Sequence, residues 1–352
     1  MHRRNRRKRW WLLLIVIPVL LVSLGWLTFT ERFPEREREL RNLVQDQLEA
    51  WFPEQMTLPD SLKGFVPRSG QFDDDLPPQV ILVHGLDEPG GIWDELVRAM
   101  DEAGLNAWEF RYPNDQAIDR SAELLGEYWA ELDSQQPVVL VGHSMGGLVI
   151  RDFVSRMRHP VDEQAIVSGP TVLGLIQIAT PNQGSEWARF RVWLELRELF
   201  NDIQAERFSL FAGLRDGTGA AKIDLRPDSA FLAELNSRPW PNRVPIRIIG
   251  GILAEPDPAM AATLALTADE LGTPELADAV EQLWAGAAEN IGDGAVPAVS
   301  LDLPEAPPAM LVPATHRGLL VTLPLSEGDP PAIAPTVAQV LDWLEKPESR
   351  AQ

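Results

Sequence analysis

Gly142-His143-Ser144-Met145-Gly146, with Gly147 next, carries the clearest chemical pattern in the sequence. It follows the apolar run PVVLV directly and runs directly into LVIRDFVSRM, which has helical periodicity. A serine between strand and helix, spaced G-x-S-x-G, sits on a turn so tight that its backbone is strained and its Oγ is presented at the sheet edge. The glycines let strand and helix approach without Cβ clashes. A serine hydroxyl is a weak nucleophile and needs a neighbouring base. The chain has five histidines: His2, His84, His143, His159 and His316. His2 precedes a long apolar run, His143 lies inside the motif, and His159 lies roughly 20 Å along the helix that follows the serine. His84 ends the first strand pattern. His316 is the one that follows the serine in a loop after a late apolar run (AMLVPATHRG).

These residues must be positioned by a sheet. Short apolar runs predict strands at 80–83, 106–110, 138–141, 173–178, 246–249 and 310–312. Between them, helical periodicity predicts helices near 92–103, 115–133 and 145–158, and a last one at 335–345, with Asp119 or Ser121 capping the second. Alternating strands and helices imply a mostly parallel sheet flanked by helices, and continuous apolar runs such as PVVLV suit strands covered on both faces.

Taken together, the serine motif in this setting resembles the α/β-hydrolase superfamily, in particular its lipase/esterase-like branch, including triacylglycerol lipases and GPI inositol deacylase-like proteins. The resemblance spans about residues 76–346. It implies an α/β-hydrolase fold and a triad in the order serine, acid, histidine, with Ser144 as nucleophile and His316 as base. Gly292-Asp293-Gly294-Ala295-Val296-Pro297 is similar to the segment bearing the acid in many lipases, so Asp293 is the expected acid. Asp257, after the strand IRIIGGIL, is its rival. In either case the acid holds the imidazole tautomer and stabilises its protonated form. The resemblance also implies an oxyanion hole from the backbone N–H groups of Met145 and of Leu86, in Val83-His84-Gly85-Leu86, with Asp87 an alternative donor. His84 is expected to brace that loop. Ala179-Thr180-Pro181-Asn182-Gln183-Gly184-Ser185 resembles the TP-x-x-GS turn of lipases, and no catalytic role is carried over for it.

Two stretches interrupt the alternation. Residues 185–243, containing RFRVWLELRELFNDI, read as a lid or cap, or else as packed helices. Residues 254–290 are Ala-rich and helical in pattern.

The N-terminus has a different character. Residues 1–9 hold six of the 31 positive charges and no acid, leaving 25 positive against 52 negative charges, a net −27, on the rest of the chain. Trp10 to Thr30 is a run of 21 uncharged residues. At ~1.5 Å per residue it is long enough to cross a ~30 Å hydrocarbon layer. The expectation is a single-pass transmembrane anchor over residues 1–30, N-terminus cytoplasmic and catalytic domain on the periplasmic or extracellular side. A cleaved signal peptide and a buried core helix are competing readings. Residues 31–75 read as an amphipathic stalk and linker. Leu40, Leu43, Val44, Leu48, Trp51 and Phe52 form a stripe expected to pack on the catalytic domain or lie at a membrane surface.

The acidic balance argues against nucleic acid as a partner, since phosphate binding needs a basic face. The absence of cysteine excludes disulfides and thiolate nucleophiles. No ligand spacing supports a metal, and no cofactor is expected. The sequence therefore points to a serine hydrolase of small-molecule or lipid esters. An acyltransferase, an amidase or peptidase with the same triad, or a non-catalytic binding or chaperone module are the alternatives.

Overall fold

A computed structural model describes residues 17–18, 21–22, 25–26, 28–59, 62–86, 91–132, 136–186, 217–253, 291–323 and 328–345. In chain order they form α1 (Pro34–Trp51), α2 (Pro53–Met56), β1 (Gly64–Pro67), β2 (Val80–Val83), α3 (Asp94–Glu102), β3 (Ala107–Arg111) and α4 (Ile118–Trp129). There follow β4 (Val138–His143), α5 (Met145–Asp152), which continues as a π-helical turn over Phe153–Arg158, and β5 (Val172–Ile178). The chain closes with α6 (Ala220–Asp224), α7 (Ala230–Ser237), β6 (Ile246–Ile252), β7 (Met310–Pro313) and α8 (Ile333–Glu345). The strands make one sheet in the order β1-β3-β2-β4-β5-β6-β7, parallel throughout except for β1, which runs antiparallel to β3.

Strand alternation divides the core into two layers. Val80 and Leu82 face α3 and α8, packing with Trp93, Leu96, Met100 and Trp343. Ile81 and Val83 face the other way, toward α4 and α5, packing with Leu125, Trp129, Leu148 and Phe153. A period of two with both faces apolar is the mark of a central strand covered on both sides. The central position of β4 places Ser144, at its carboxyl end, in the middle of one sheet edge.

Several expectations change. The stretch 31–75, read as stalk and linker, contains β1, whose residues Gly64 to Pro67 pair with Arg111 to Trp108. Neither Asp119 nor Ser121 caps α4. Its N-cap residue is Ala117, without a side-chain cap. The cap comes instead from Asp224, whose Oδ2 accepts from the Ile118 N–H at 2.9 Å. Asp224 is fully buried. Its carboxyl is pushed up to about 7 by burial, against the opposing pull of Arg38, whose Nε lies 2.5 Å from Oδ1.

The helix expected from the 40–52 spacing forms as α1 but docks by its polar side. Glu37 and Gln45 are buried, whereas Leu43 is 55% and Trp51 68% exposed. Polar partners explain the inversion. Glu37 accepts from Arg41 at 2.7 Å and Arg226 at 3.3 Å. Arg38 reaches Asp224 and, at 2.8 Å, Asp119. Arg120 holds Asp46 at 2.7 Å. A buried charge costs several kcal/mol unless it is paired, and here the cross-domain pairs decide which face turns inward.

The single-pass membrane localisation expected for residues 1–30 is also corrected. Among the described residues no helix is long and apolar enough to cross a membrane. The end of the apolar run is instead engaged by the domain. Thr30 is buried and its carbonyl accepts from Arg226 at 3.1 Å. The basic cluster 1–9 and much of 10–27 lie outside the described residues, as do 187–216 of the first insertion and all of the second, 254–290.

Candidate active site

Ser144 stands between β4 and α5 with φ 53° and ψ −128°, in backbone space that non-glycine residues seldom occupy. Its N–H is held by the Ile178 carbonyl of the neighbouring strand at 2.8 Å, so the strain is imposed by sheet pairing on one side and helix on the other. Gly146 shows why the motif needs its glycine. A Cβ there would lie 2.0 Å from the Val83 carbonyl oxygen and 2.5 Å from that of His84. The loop after β2 therefore rests directly on the first turn of α5.

Leu86, two residues beyond His84, and Met145, which opens α5, are both buried in the same core layer. The loop is braced as expected of His84. The His84 ring stacks on Tyr112 at 4.6 Å, its Nδ1 lies 2.9 Å from the Gly85 carbonyl, and the Tyr112 hydroxyl donates to the His84 carbonyl at 2.6 Å. Asp87, the alternative donor, lies outside the described residues.

The acid and the histidine come from two loops on the far side of β6. Asp293 Oδ2 is 2.7 Å from His316 Nδ1. Its other oxygen accepts from the N–H groups of Ala295 at 2.9 Å and Val296 at 2.8 Å, and the Asp293 carbonyl accepts from the His316 N–H at 2.9 Å. The Asp293 side chain is 1% exposed and that of His316 18%. A buried carboxylate with each oxygen occupied is fixed in orientation, and its charge is met by donors rather than left bare. The rival acid, Asp257, lies outside the described residues. The His316 ring lies 4.7 Å, centroid to centroid, from that of His143, the residue just before Ser144. The loop bearing His316, and with it the Asp293 loop, is thereby brought onto the elbow.

Sequence reasoning carried over no catalytic role for the turn from Thr180 to Ser185, and the structure shows that this turn supports the acid loop. Ser185 Oγ donates to the Ala295 carbonyl at 2.5 Å, Ser300 Oγ to that of Gly184 at 2.5 Å, and the Gln183 N–H to that of Ser300 at 3.0 Å. Asn182, fully buried, donates to Gln177 at 2.8 Å and to the Leu301 carbonyl at 2.9 Å, and Gln177 donates to the Gly147 carbonyl at 3.2 Å. One amide chain thus links the elbow helix to the segment that follows Asp293. Arg151, on α5, adds a bond to Asn236 at 2.8 Å, and burial lowers its pKa to about 10. The only signal for this framework was the TP-x-x-GS spacing itself. His159, set aside as too distant, is buried instead. It accepts from the Val172 N–H at 3.2 Å and lies 2.7 Å from Arg243.

A family model described as the alpha/beta hydrolase family matches residues 80–346, and the chain belongs to that family. Among solved structures it is similar to the lipase of Staphylococcus hyicus, at 14% identity over 77% of this chain and 96% of that one, with a TM-score of 0.50. It is similar also to lipase 1 of Pelosinus fermentans, at 12% identity over 76% and 98% with a TM-score of 0.48. The mature form of the Bacillus licheniformis lipase BlEst2 matches at 16% identity over 72% and 91% with a TM-score of 0.45. The first of these likenesses speaks to the fold alone. No curated protein sequence matches the chain.

Proposed function

We propose that the protein is a serine hydrolase that cleaves carboxylic esters through an acyl-enzyme on Ser144. The observation that carries this reading is the buried Asp293 carboxylate, bonded at 2.7 Å to His316 Nδ1 in a loop packed against a strained serine elbow. With Nδ1–H donated to Asp293, the Nε2 lone pair of His316 is free to take a proton.

His316 Nε2 accepts the Ser144 hydroxyl proton as Oγ bonds to the ester carbonyl carbon. The carbonyl π electrons move to oxygen, and the N–H groups of Met145 and Leu86 receive that oxyanion. As the intermediate collapses, the bond to the alkoxy oxygen breaks, and the alcohol leaves with the proton from His316. Water then gives a proton to His316 as its oxygen bonds to the acyl carbon; the carbon–Oγ bond breaks, Oγ takes the proton back from His316, and the acid leaves with Ser144 restored. Asp293 keeps the tautomer and stabilises the imidazolium formed at each step. Lipid-like esters are the substrates we favour, in keeping with the lipase named among structures of this fold.

Labelling by a fluorophosphonate is the test. The full chain should be labelled and Ser144→Ala should not. Labelling that persists in the variant sinks the assignment. An ester panel graded from acetyl to long acyl then reads the chain-length preference, and a preference confined to acetyl esters refutes the lipid-like substrate.

A further inference from the structure

We infer that His143, at the variable position of the serine motif, is a positioning residue that sets the distance between Ser144 and His316. This rests on the reading of His316 as the base and names a component that the triad itself does not include. His143 is completely buried. Its Nε2 lies 3.2 Å from the main-chain carbonyl oxygen of His316. A carbonyl oxygen only accepts, so Nε2 carries the hydrogen and donates it. The His143 ring meets the His316 ring at 4.7 Å and 46°, and it meets Trp93, likewise buried, at 6.4 Å and 88° in an edge-on contact.

The consequence lies in how His316 is tethered. Its N–H is held by the Asp293 carbonyl at 2.9 Å and its Nδ1 by the Asp293 carboxylate at 2.7 Å, so two of its contacts belong to the acid loop. Those contacts orient the ring, and the acid loop is held in turn by Ser185, Ser300 and Asn182 after β5, but none of these bonds comes from β4. The bond from His143 ties the same residue to β4 itself, one residue from the serine. The path from nucleophile to base is then Ser144, His143, His316, without passing through either insertion. An apolar side chain could fill the same space. Only a donor at the end of a side chain with four bonds from Cα reaches the carbonyl, and glutamine shares that reach whereas asparagine is one bond short.

The test compares His143→Leu, His143→Asn and His143→Gln in the full chain, reading kcat and KM on a p-nitrophenyl ester and the thermal midpoint of each. A misplacement near 1 Å costs on the order of 100-fold. Leu and Asn are therefore expected to lower kcat roughly 10- to 100-fold with KM within about twofold, and Gln to stay within about threefold of the unsubstituted protein. If Gln falls as far as Leu, or if Leu and Asn keep the original kcat, the inference is overturned. Should the Leu variant fail to fold, the Asn and Gln pair decides, since the two amides differ in reach and not in polarity. Ser144→Ala run alongside separates the two levels: labelling that survives it refutes the serine reading, whereas the Leu, Asn and Gln series reads the tether.

Discussion

Asp293→Asn is the substitution whose outcome the geometry constrains most tightly. The two carboxylate oxygens do different work. Oδ1 accepts two main-chain N–H groups, from Ala295 and Val296, and Oδ2 faces His316 Nδ1. An asparagine is nearly isosteric, but its two ends are no longer alike. Placing its NH2 on the Oδ1 side would oppose two donors and leave both unpaired, at ~1–3 kcal/mol each. The amide oxygen therefore takes the Oδ1 position and the NH2 group faces His316. A donor there obliges Nδ1 to accept, and the hydrogen of the neutral imidazole moves to Nε2. The nitrogen meant to take the serine proton then already carries one. Restoring the productive tautomer means turning the amide against those two donors, and the imidazolium of the transition state loses its anionic partner as well. A penalty of ~4–5.5 kcal/mol corresponds to a 10³- to 10⁴-fold loss in kcat at ~1.36 kcal/mol per decade, the range in which the comparable substitution falls in serine proteases. The assay is the rate of fluorophosphonate labelling together with ester turnover, with thermal unfolding recorded on the same samples. A thermal midpoint close to that of the unsubstituted protein is expected, because the two main-chain bonds survive. Activity within tenfold of the original would refute the reasoning and return the role of acid to another carboxylate, Asp257 first.

Two further outcomes follow from the same geometry. Gly146→Ala would set a Cβ 2.0 Å from the Val83 carbonyl oxygen, a main-chain atom, so folding stability should fall by ~1–3 kcal/mol or more and labelling with it; a thermal midpoint and labelling rate like the original would contradict the close approach of loop and elbow. His159 is held neutral, its pKa lowered to about 3 by burial with the Arg158 and Arg243 charges nearby, so the unfolded chain binds its proton near pH 6.5 and the folded chain does not until far lower. Stability from this group is complete above pH 6.5 and declines as pH falls toward 3, by ~1.5–2 kcal/mol between pH 6.5 and 5; urea unfolding of His159→Gln should show that much less loss over the interval, and equal slopes would refute it.

What could be read from the sequence, and what could not, divides along the range of the interactions involved. Strands β2, β4 and β5 announce themselves because each is a mostly apolar run covered on both faces, a property carried wholly by the segment. The edge strand β1 does not. GFVP is short and ends in proline, and its pairing with β3 is the only thing that makes it a strand. The helical spacing of α1 was plain, but which side faces inward depends on Arg226 and Asp224, almost two hundred residues away in sequence. The same distance hides the cap on α4. A local search finds Asp119 or Ser121, and the folded chain uses Asp224.

The site follows the same division. Ser144 is visible because the strain on it is local, written in the glycines on either side and in the strand and helix that press on the turn. His316 can be reached by elimination, since the other four histidines are placed by their immediate sequence. The pairing of His316 with Asp293 cannot, because 23 residues separate them and the segment alone does not say that both loops leave the sheet on the same edge. The least legible residue of all is His143. It occupies a motif position that tolerates any side chain, and nothing in the pattern distinguishes it from a spacer. Its contact with the His316 carbonyl appears only when the strand bearing the serine and the loop bearing the histidine are seen side by side. A motif that leaves a position unspecified says nothing of the side chain that stands there. Within one chain it is still a particular side chain, buried one residue from Ser144, and its partners must be known before it is set aside.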